Sequence, residues 1–263
     1  MPVAHRLKCA ETWGGNEKIE SLVELPGLRA WVHSVPAGSS DAGGDVHHVS
    51  VCPSCIVSRV ALADVSGHGQ GAASVSAKLR ELMQQHLTAL EQTGLMRDLN
   101  HAVQQGIADT HHATMVAVGF HGRRGLLVVT NAGHPPPIWY RAKREDWSWL
   151  EPPHRAQRSI AAGTPLGLLP DISYDRKIVK PLAGDLVVLY SDGVSEATNR
   201  NDEELGGDGL MALARRLGPR SAAAFGAALA TAVQDFRGGT VANDDQTIIV
   251  MERVLPAIDT RSS

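Results

Sequence analysis

An α+β fold of layered, mostly antiparallel sheets is what this chain predicts, on three observations. Short apolar or alternating segments come in consecutive runs, tight-turn sequences join several of them, and two pairs of helical stretches interrupt the runs. A doubly wound sheet would instead alternate strand with helix along the whole chain.

Residues 28–35 alternate as a strand. Residues 45–51 and 56–63 read as two strands joined by Cys52-Pro53-Ser54-Cys55, whose Pro-Ser centre suits a turn. From Gly71 the spacing becomes helical, with Val75, Leu79, Leu82, Met83, His86, Leu87 and Leu90 recurring at three and four residues. A second helix covers 95–108. Strands resume at 114–120, 125–130 and 137–141, the first two joined across His121-Gly122-Arg123-Arg124. Trp147, Trp149 and Leu150 extend this meander, and the polar, proline-containing residues 151–164 are expected to form a mobile loop. Strands at 172–179 and 186–191 flank a turn at 181–185. Helices at 209–217 and 221–236 are broken by Gly218-Pro219, and the last strand is 247–254.

The chain has 263 residues, 43% apolar and 20% charged, enough for a core of ordinary size, and no shift in composition marks an internal boundary. A formal charge of −3 gives no electrostatic reason to expect nucleic acid, whose binding leans on Lys and Arg neutralising phosphates. No segment reaches the ~20 apolar residues needed to cross a bilayer, and residues 1–8 lack a signal-peptide hydrophobic region. A cytoplasmic location is therefore expected. Three cysteines cannot all pair within the chain, which suits a reducing compartment. Cys52 and Cys55 have zinc-knuckle spacing, but Cys9 alone does not supply the second ligand pair, so a simple turn is expected there.

Several aspartates stand at predicted strand ends. Asp45 follows Gly43-Gly44, Asp64 ends an apolar strand and runs into Val65-Ser66-Gly67-His68-Gly69, Asp192 precedes Gly193, and Asp244-Asp245 opens the run 248–251. Carboxylates with no adjacent base suit hard divalent cations such as Mg²⁺ and Mn²⁺. Two such ions about 3.5–4 Å apart can share a carboxylate and a water and clamp a phosphoryl oxygen, and Asp64 is expected to be the bridge. Asp185, inside the 181–185 turn, is expected to be structural. Ser66 and His68 could make a nucleophile and its base. However, the G-x-S-x-G elbow is absent and nothing marks a group that would orient His68, which is left to donate a proton or to line the site. The glycine-rich turn lacks the P-loop lysine, although helix amides after it would favour an anion.

Five motifs occur in order: Gly43-Gly44-Asp45; Ala63-Asp64-Val65-Ser66-Gly67-His68-Gly69; Asn131-Ala132-Gly133-His134-Pro135-Pro136; Tyr190-Ser191-Asp192-Gly193-Val194-Ser195-Glu196; and Asp244-Asp245-Gln246-Thr247. In this combination the chain resembles the PPM superfamily of metal-dependent protein serine/threonine phosphatases, in its SpoIIE-like or RsbU-like bacterial branch. The resemblance implies a four-layer αββα sandwich, two mostly antiparallel sheets flanked by helix pairs. It also implies two divalent cations, Mn²⁺ or Mg²⁺, and hydrolysis of phosphoserine or phosphothreonine by a metal-activated water with no covalent intermediate.

Carried over residue by residue, Asp64 would bridge the metals, the Val65 carbonyl would complete the second ion, and Asp192 and Asp244 would bind the first. Asp45 would hold metal-bound water, and Asp245 ranks below Asp244. Catalytic roles fall to Asp64 and His68. The implied substrate is a phosphoprotein, a STAS-type anti-sigma antagonist in a partner-switching pathway, with no nucleic acid or membrane partner. Two alternatives stay open: a phosphatase of small phosphomonoesters, and a non-catalytic metal-binding regulator that docks a partner.

The family's aromatic residue after Gly-Gly-Asp is replaced by Val46-His47-His48, and alternation lets only one of these histidines face the site. The expected organisation is an N-terminal extension at 1–27, a phosphatase domain at 28–254 and a tail at 255–263. So short an extension leaves regulation to another protein, and Trp13-Gly14-Gly15 either packs on the domain or meets a partner.

Overall fold

Strand alternation sorts the apolar side chains into three clusters, and those clusters fix the layering. The computed structural model describes residues 3–38, 40–65, 70–86, 91–106, 112–150 and 163–255. A seven-stranded sheet runs in the order β1 (Val3–Arg6), β3 (Ile19–Leu25), β4 (Leu28–Val35), β13 (Gln246–Arg253), β12 (Leu186–Tyr190), β9 (Ile138–Arg141) and β10 (Asp146–Trp149). A six-stranded sheet runs β11 (Arg176–Val179), β8 (Leu126–Ala132), β7 (Ala113–His121), β6 (Val57–Val65), β5 (Ala42–Val51) and β2 (Thr12–Glu17). Among the strands of the described residues, only β1 and β3 pair in parallel.

Successive residues of a strand point to opposite faces, so a strand covered on both sides reads as a continuous apolar run. In β13, Ile249 and Met251 enter the cluster between the sheets with Val32, Val49, Leu62 and Val118. Their neighbours Ile248 and Val250 meet Trp31, Leu210, Phe225 and Leu229 beneath α4 (Gly206–Leu217) and α5 (Ala222–Arg237). On the outer face of the other sheet, Val46, Ala61, Ala63 and Met115 pack under Leu79, Met83, Leu95 and Leu99 of α1 (Gln70–His86) and α2 (Gln92–Gly106). The result is the expected α+β sandwich of helices, sheet, sheet and helices.

The elements differ from expectation mainly at the N-terminus. Residues set apart as an extension form β1, β2 and β3, which join both sheets, β3 along β4 and β2 along β5. Trp13 packs on the domain, its ring 5.3 Å from that of His47. Strand β11 covers only the end of the predicted 172–179 segment, and a short helix α3 (Asp192–Ser195) follows β12. The 52–55 turn forms as expected, closed by the Cys55 amide donating to the Cys52 carbonyl at 2.9 Å. Cys55 is joined to Cys9 in a disulfide and Cys52 stays free, a pairing that sequence spacing did not reveal and that removes the cysteine count as support for a reducing compartment. The predicted loop at 151–164 falls largely outside the described residues, as do the end of the first predicted helix, residues 107–111 and most of the C-terminal tail. No helix among the described residues is long and apolar enough to cross a membrane.

Candidate functional site

The tight turn at 52–55 sets the β5–β6 register, and at the far end of that hairpin it places Asp45 directly opposite Asp64. Alternation turns both side chains toward the other sheet, on the face that also carries Val49, Val60 and Leu62. There the chain enters and leaves the seven-stranded sheet. β12 ends at Tyr190, and the Ser191 amide donates to the Thr247 carbonyl at 3.0 Å, which holds Asp192 at the start of α3 beside the segment preceding β13. Asp244 and Asp245 lie in that segment. The carboxylates therefore come from both sheets and meet at one end of the sandwich.

Close approach depends on two glycines. A Cβ on Gly193 would overlap the Asp245 carbonyl oxygen and lie 3.1 Å from the Asp244 Cβ. One on Gly44 would lie 3.3 Å from Asp64 Oδ1 and 3.4 Å from the Val65 carbonyl oxygen, so both of these oxygens face the Gly43-Gly44-Asp45 segment.

Asp245 works differently from its neighbour. Its carboxylate accepts from the Ala37 amide at 2.6 Å, from the Gly44 amide, and from the Asp45 amide at 3.4 Å, tying the exit of β4 to the start of β5. Asp244 accepts only from the Asp245 amide, at 2.8 Å, among the hydrogen bonds of the described residues.

Electrostatics mark the cluster as incomplete. Burial pushes the Asp64 carboxyl up to about 8, and the charges of Asp192, Asp244, Asp245 and Glu196 push it the same way. Burial, then Asp64, raises Asp45 well above the ordinary carboxylate range, opposed by contacts with the Ser191 and Thr247 side chains. Asp192 and Glu196 are raised as well, each by burial first and then by a neighbouring carboxylate. One Asp45 oxygen, Oδ2, is buried without a partner. Like charges crowded in this way call for a cation, and an all-oxygen set suits Mg²⁺ or Mn²⁺ rather than zinc or copper. Among the described residues no three His, Cys, Asp or Glu side chains close into a ready-made metal shell. A hard ion that keeps several waters needs no such closed shell.

Asp45, Asp64, Val65, Asp192 and Asp244 are thus brought to one place. His68 and Ser66 lie outside the described residues. Asp185 is structural, its carboxylate accepting from the amides of Ala142 at 2.8 Å and Leu182 at 3.1 Å. Both His47 and His48 are buried, on opposite faces of β5, and burial holds them neutral at about 4 and about 3.

Sequence reasoning missed Glu196 as a member of the acidic group, although it stands four residues past Asp192, one helical turn on. It also missed His134, whose Nδ1 lies 2.8 Å from the Thr114 hydroxyl, on the residue paired with Asp64. Asn131 closes the His134 loop by accepting from the His134 amide and donating to its carbonyl, both at 2.8 Å.

Helix pairs enclosing two antiparallel sheets, with acidic side chains gathered where both sheets end, define the class of PP2C-type phosphatase folds. The crystal structure of the RsbU and RsbW domains of Rv1364c from Mycobacterium tuberculosis matches with a TM-score of 0.70 at 23% identity, covering 90% of this chain and 63% of that one. The catalytic domain of the serine threonine protein phosphatase PstP, in complex with 2 manganese ions, matches with a TM-score of 0.59 at 17% identity, over 87% of this chain and 99% of that one. At these identities the likeness is one of fold. The family model of stage II sporulation protein E (SpoIIE) matches residues 58–254, and the chain belongs to that family. The phosphoserine phosphatase RsbU of Bacillus subtilis (strain 168) is 29% identical over 173 residues, 64% of this chain and 47% of RsbU. The chain therefore spans about half the length of that relative.

Proposed function

We propose that this chain is a metal-dependent protein phosphatase that hydrolyses phosphoserine or phosphothreonine, acting in the cytoplasm on a STAS-type anti-sigma antagonist. The observation that carries the reading is the meeting of Asp45, Asp64, Asp192 and Asp244 from two sheets at one end of the sandwich, each of the first three held above its ordinary pKa. Membership of the SpoIIE family and the phosphoserine phosphatase RsbU among its relatives support the same reaction class.

Asp64, Asp192 and Asp244, with the Val65 carbonyl and Asp45, would hold two divalent cations, Mn²⁺ or Mg²⁺. When bound, the cations supply Lewis acidity toward the phosphoryl group and the water that attacks it. The chain's own contribution is position and charge. Asp45 and Asp64 present oxygens from adjacent strands, Gly193 lets the Asp192 turn approach Asp244, and Asp245 fixes the backbone of Gly44 and Asp45 through their amides. The Ser191 and Thr247 side chains approach the Asp45 carboxyl from the opposite sheet and favour its charged form.

The test is hydrolysis of an aryl phosphate and of a phosphoserine peptide, with and without chelator. Chelator is expected to abolish both activities and Mn²⁺ to restore them. Asp64→Asn and Asp192→Asn are expected to remove activity with the fold retained. Turnover that persists in chelator would overturn the metal-dependent reading. Phosphorylated STAS-domain proteins hydrolysed no faster than an unrelated phosphopeptide would overturn the assigned substrate.

A further inference from the structure

Away from the carboxylates, at the opposite end of the sandwich, the three cysteines come together. Cys9 lies between β1 and β2, in a stretch pinned to the end of β5 by the Ala10 amide donating to the Val51 carbonyl and the Val51 amide donating to the Glu11 carbonyl, both at 3.0 Å. It is joined to Cys55 with a Cα separation of 4.9 Å, across 46 residues of sequence. Cys55 closes the four-residue turn that Cys52 opens. Residues at the two ends of such a turn have Cα atoms within about 7 Å, overlapping the roughly 4.4–6.8 Å that a disulfide requires. Cys55 is therefore in reach of two partners.

Cys52 is equipped for the second role. Its thiol is buried, and its sulfur accepts from the Val57 amide at 3.2 Å and lies 3.2 Å from the Ser54 hydroxyl. Burial pushes this thiol up, but hydrogen bonds from Ser54, Val57 and Ile56 together outweigh it and bring the thiol below its ordinary value. Hydrogen bonds of this kind favour the thiolate, which is the attacking form.

Cys55 also lines a cavity of about 630 Å³, within the size range of small-molecule sites. Phe120 forms part of its apolar wall, and Arg6, Arg29, Arg123 and Arg253 line it; Glu24 pairs with Arg6 at 2.8 Å and Glu252 with Arg29 at 3.8 Å, while Arg123 and Arg253 pair with no carboxylate among the lining residues. An anion with a modest apolar body fits that lining.

We propose that Cys9, Cys52 and Cys55 form a thiol–disulfide exchange site in which Cys55 changes partner between Cys9 and Cys52, opened by a carboxylate-bearing low-molecular-weight thiol bound in the arginine-lined cavity. The thiolate of the small thiol attacks the Cys55 sulfur. The Cys9–Cys55 bond breaks, its electron pair leaves on the Cys9 sulfur, which takes up a proton, and a mixed disulfide forms at Cys55. Cys52, its proton released to solvent, then attacks the same Cys55 sulfur. The small thiol departs with the bonding pair and the Cys52–Cys55 disulfide remains. Nothing is oxidised or reduced overall, and the small thiol is returned.

The exchange unfastens the N-terminal strands from the β5–β6 turn. β2 runs from that fastening to Asn16, whose side-chain amide donates at 3.0 Å to the carbonyl of Gly43, next to Gly44 and Asp45. The cysteines and the acidic site therefore stand at the two ends of one strand.

The experiment uses the full chain, incubated with glutathione, quenched with N-ethylmaleimide at acid pH and digested with trypsin. Cleavage after Lys8 and Lys18 isolates Cys9, whereas cleavage after Arg29 and Arg59 keeps Cys52 and Cys55 on one peptide. The cross-linked pair of peptides is expected to give way to a 30–59 peptide with an internal disulfide and a 9–18 peptide carrying maleimide. In Cys52→Ser that internal disulfide is lost. Glutathione is expected to drive the change faster than cysteamine at equal thiolate concentration, and Arg123→Glu is expected to narrow the difference. Finding only the Cys9–Cys55 cross-link, with Cys52 alkylated at every glutathione concentration, overturns the exchange. Equal rates with the anionic and cationic thiols overturn the role given to the cavity. Both readouts are independent of phosphatase activity.

Discussion

Replacing Asp64 by Asn is expected to stabilise the metal-free protein while removing its response to metal. The Asp64 carboxyl sits at about 8 in the fold against an ordinary 3.8, so the native state holds its proton across a range where the unfolded chain has released it. A group raised in this way contributes stability that is complete below 3.8 and is lost as pH rises through 8. Between pH 5 and pH 7 the wild type should therefore lose about 1.4 kcal/mol per pH unit relative to the Asn variant, about 2.7 kcal/mol in all. For a chain of this size that corresponds to roughly 5–11 °C in thermal midpoint. Other titrating groups largely cancel, because both proteins carry them. Asp45 does not cancel, since Asp64 helps to raise it, and relief of that repulsion adds in the same direction.

The assay is calorimetric unfolding of chelator-treated wild type and variant at pH 5, 6 and 7, repeated with Mn²⁺. The two midpoints should lie close together at pH 5 and diverge as pH rises, with the variant the more stable. Mn²⁺ should raise the wild-type midpoint, most at the higher pH, where displacing the Asp64 proton costs least, and leave the variant unmoved. Parallel pH profiles, or a variant that responds to Mn²⁺ as the wild type does, would refute the reasoning.

Further outcomes are expected from neighbouring residues. Gly193→Ala introduces a methyl group into the Asp245 carbonyl oxygen; it should cost about 1–3 kcal/mol in denaturant unfolding and, by shifting Asp192 about 1 Å, about 10²-fold in phosphatase rate. Asp245→Ala leaves the Ala37, Gly44 and Asp45 amides without their shared acceptor; it should lower metal-free stability by about 2 kcal/mol or more, whereas Asp244→Ala should instead abolish the stabilisation by Mn²⁺. His47, His48 and His134 are held neutral by burial at about 4, about 3 and about 3, below the ordinary 6.5, so their contribution is complete above pH 6.5 and lost as pH falls. In an Asp64→Asn background, where Asp45 and Asp192 still oppose through their burial-raised carboxyls, urea unfolding between pH 6 and pH 5 should still show a net loss as pH falls, below the ~4 kcal/mol per pH unit of three histidines alone.

What could be read from the sequence was what period and punctuation encode. The apolar runs ending at Asp64 and Asp192 are buried on both faces, so they stand out as strands, and each stops at an acidic residue near glycine. The helices at 209–217 and 221–236 were legible for the same reason, their break falling at Gly218-Pro219. β2 escaped because Gly14 and Gly15 interrupt any alternation and its place in the sheet comes from pairing with β5. β3 alternates well enough to have been found; its burial pattern leaves Ser21, Val23 and Leu25 inside. The role of Asp245 was invisible because its partners lie some 200 residues earlier in the chain. The Cys9–Cys55 pair was hidden likewise, since only the pairing of β1 with β3 and of β2 with β5 carries Cys9 to the 52–55 turn.

The acidic site belongs to neither sheet alone, and this explains where the fold spends its polar side chains. The carboxylates, raised by burial first and by one another second, repel across the gap when ionised, and without a cation the apolar cluster between the sheets must resist that push. The buried polar contacts run across the same gap. Ser191 and Thr247 of the seven-stranded side reach Asp45, and Asp245 reaches Gly44 and Asp45. His134 is bonded to Thr114 on one side and lies against the Tyr190 backbone on the other. Each tie is made of neutral donors or backbone amides, none of which would cancel the negative charge that a divalent cation requires. A lysine or arginine could have closed the gap more strongly, but it would have occupied the place of the cation. The ties therefore preserve the geometry of the site without neutralising it, and the charge left over is what a divalent cation would meet under the proposed function.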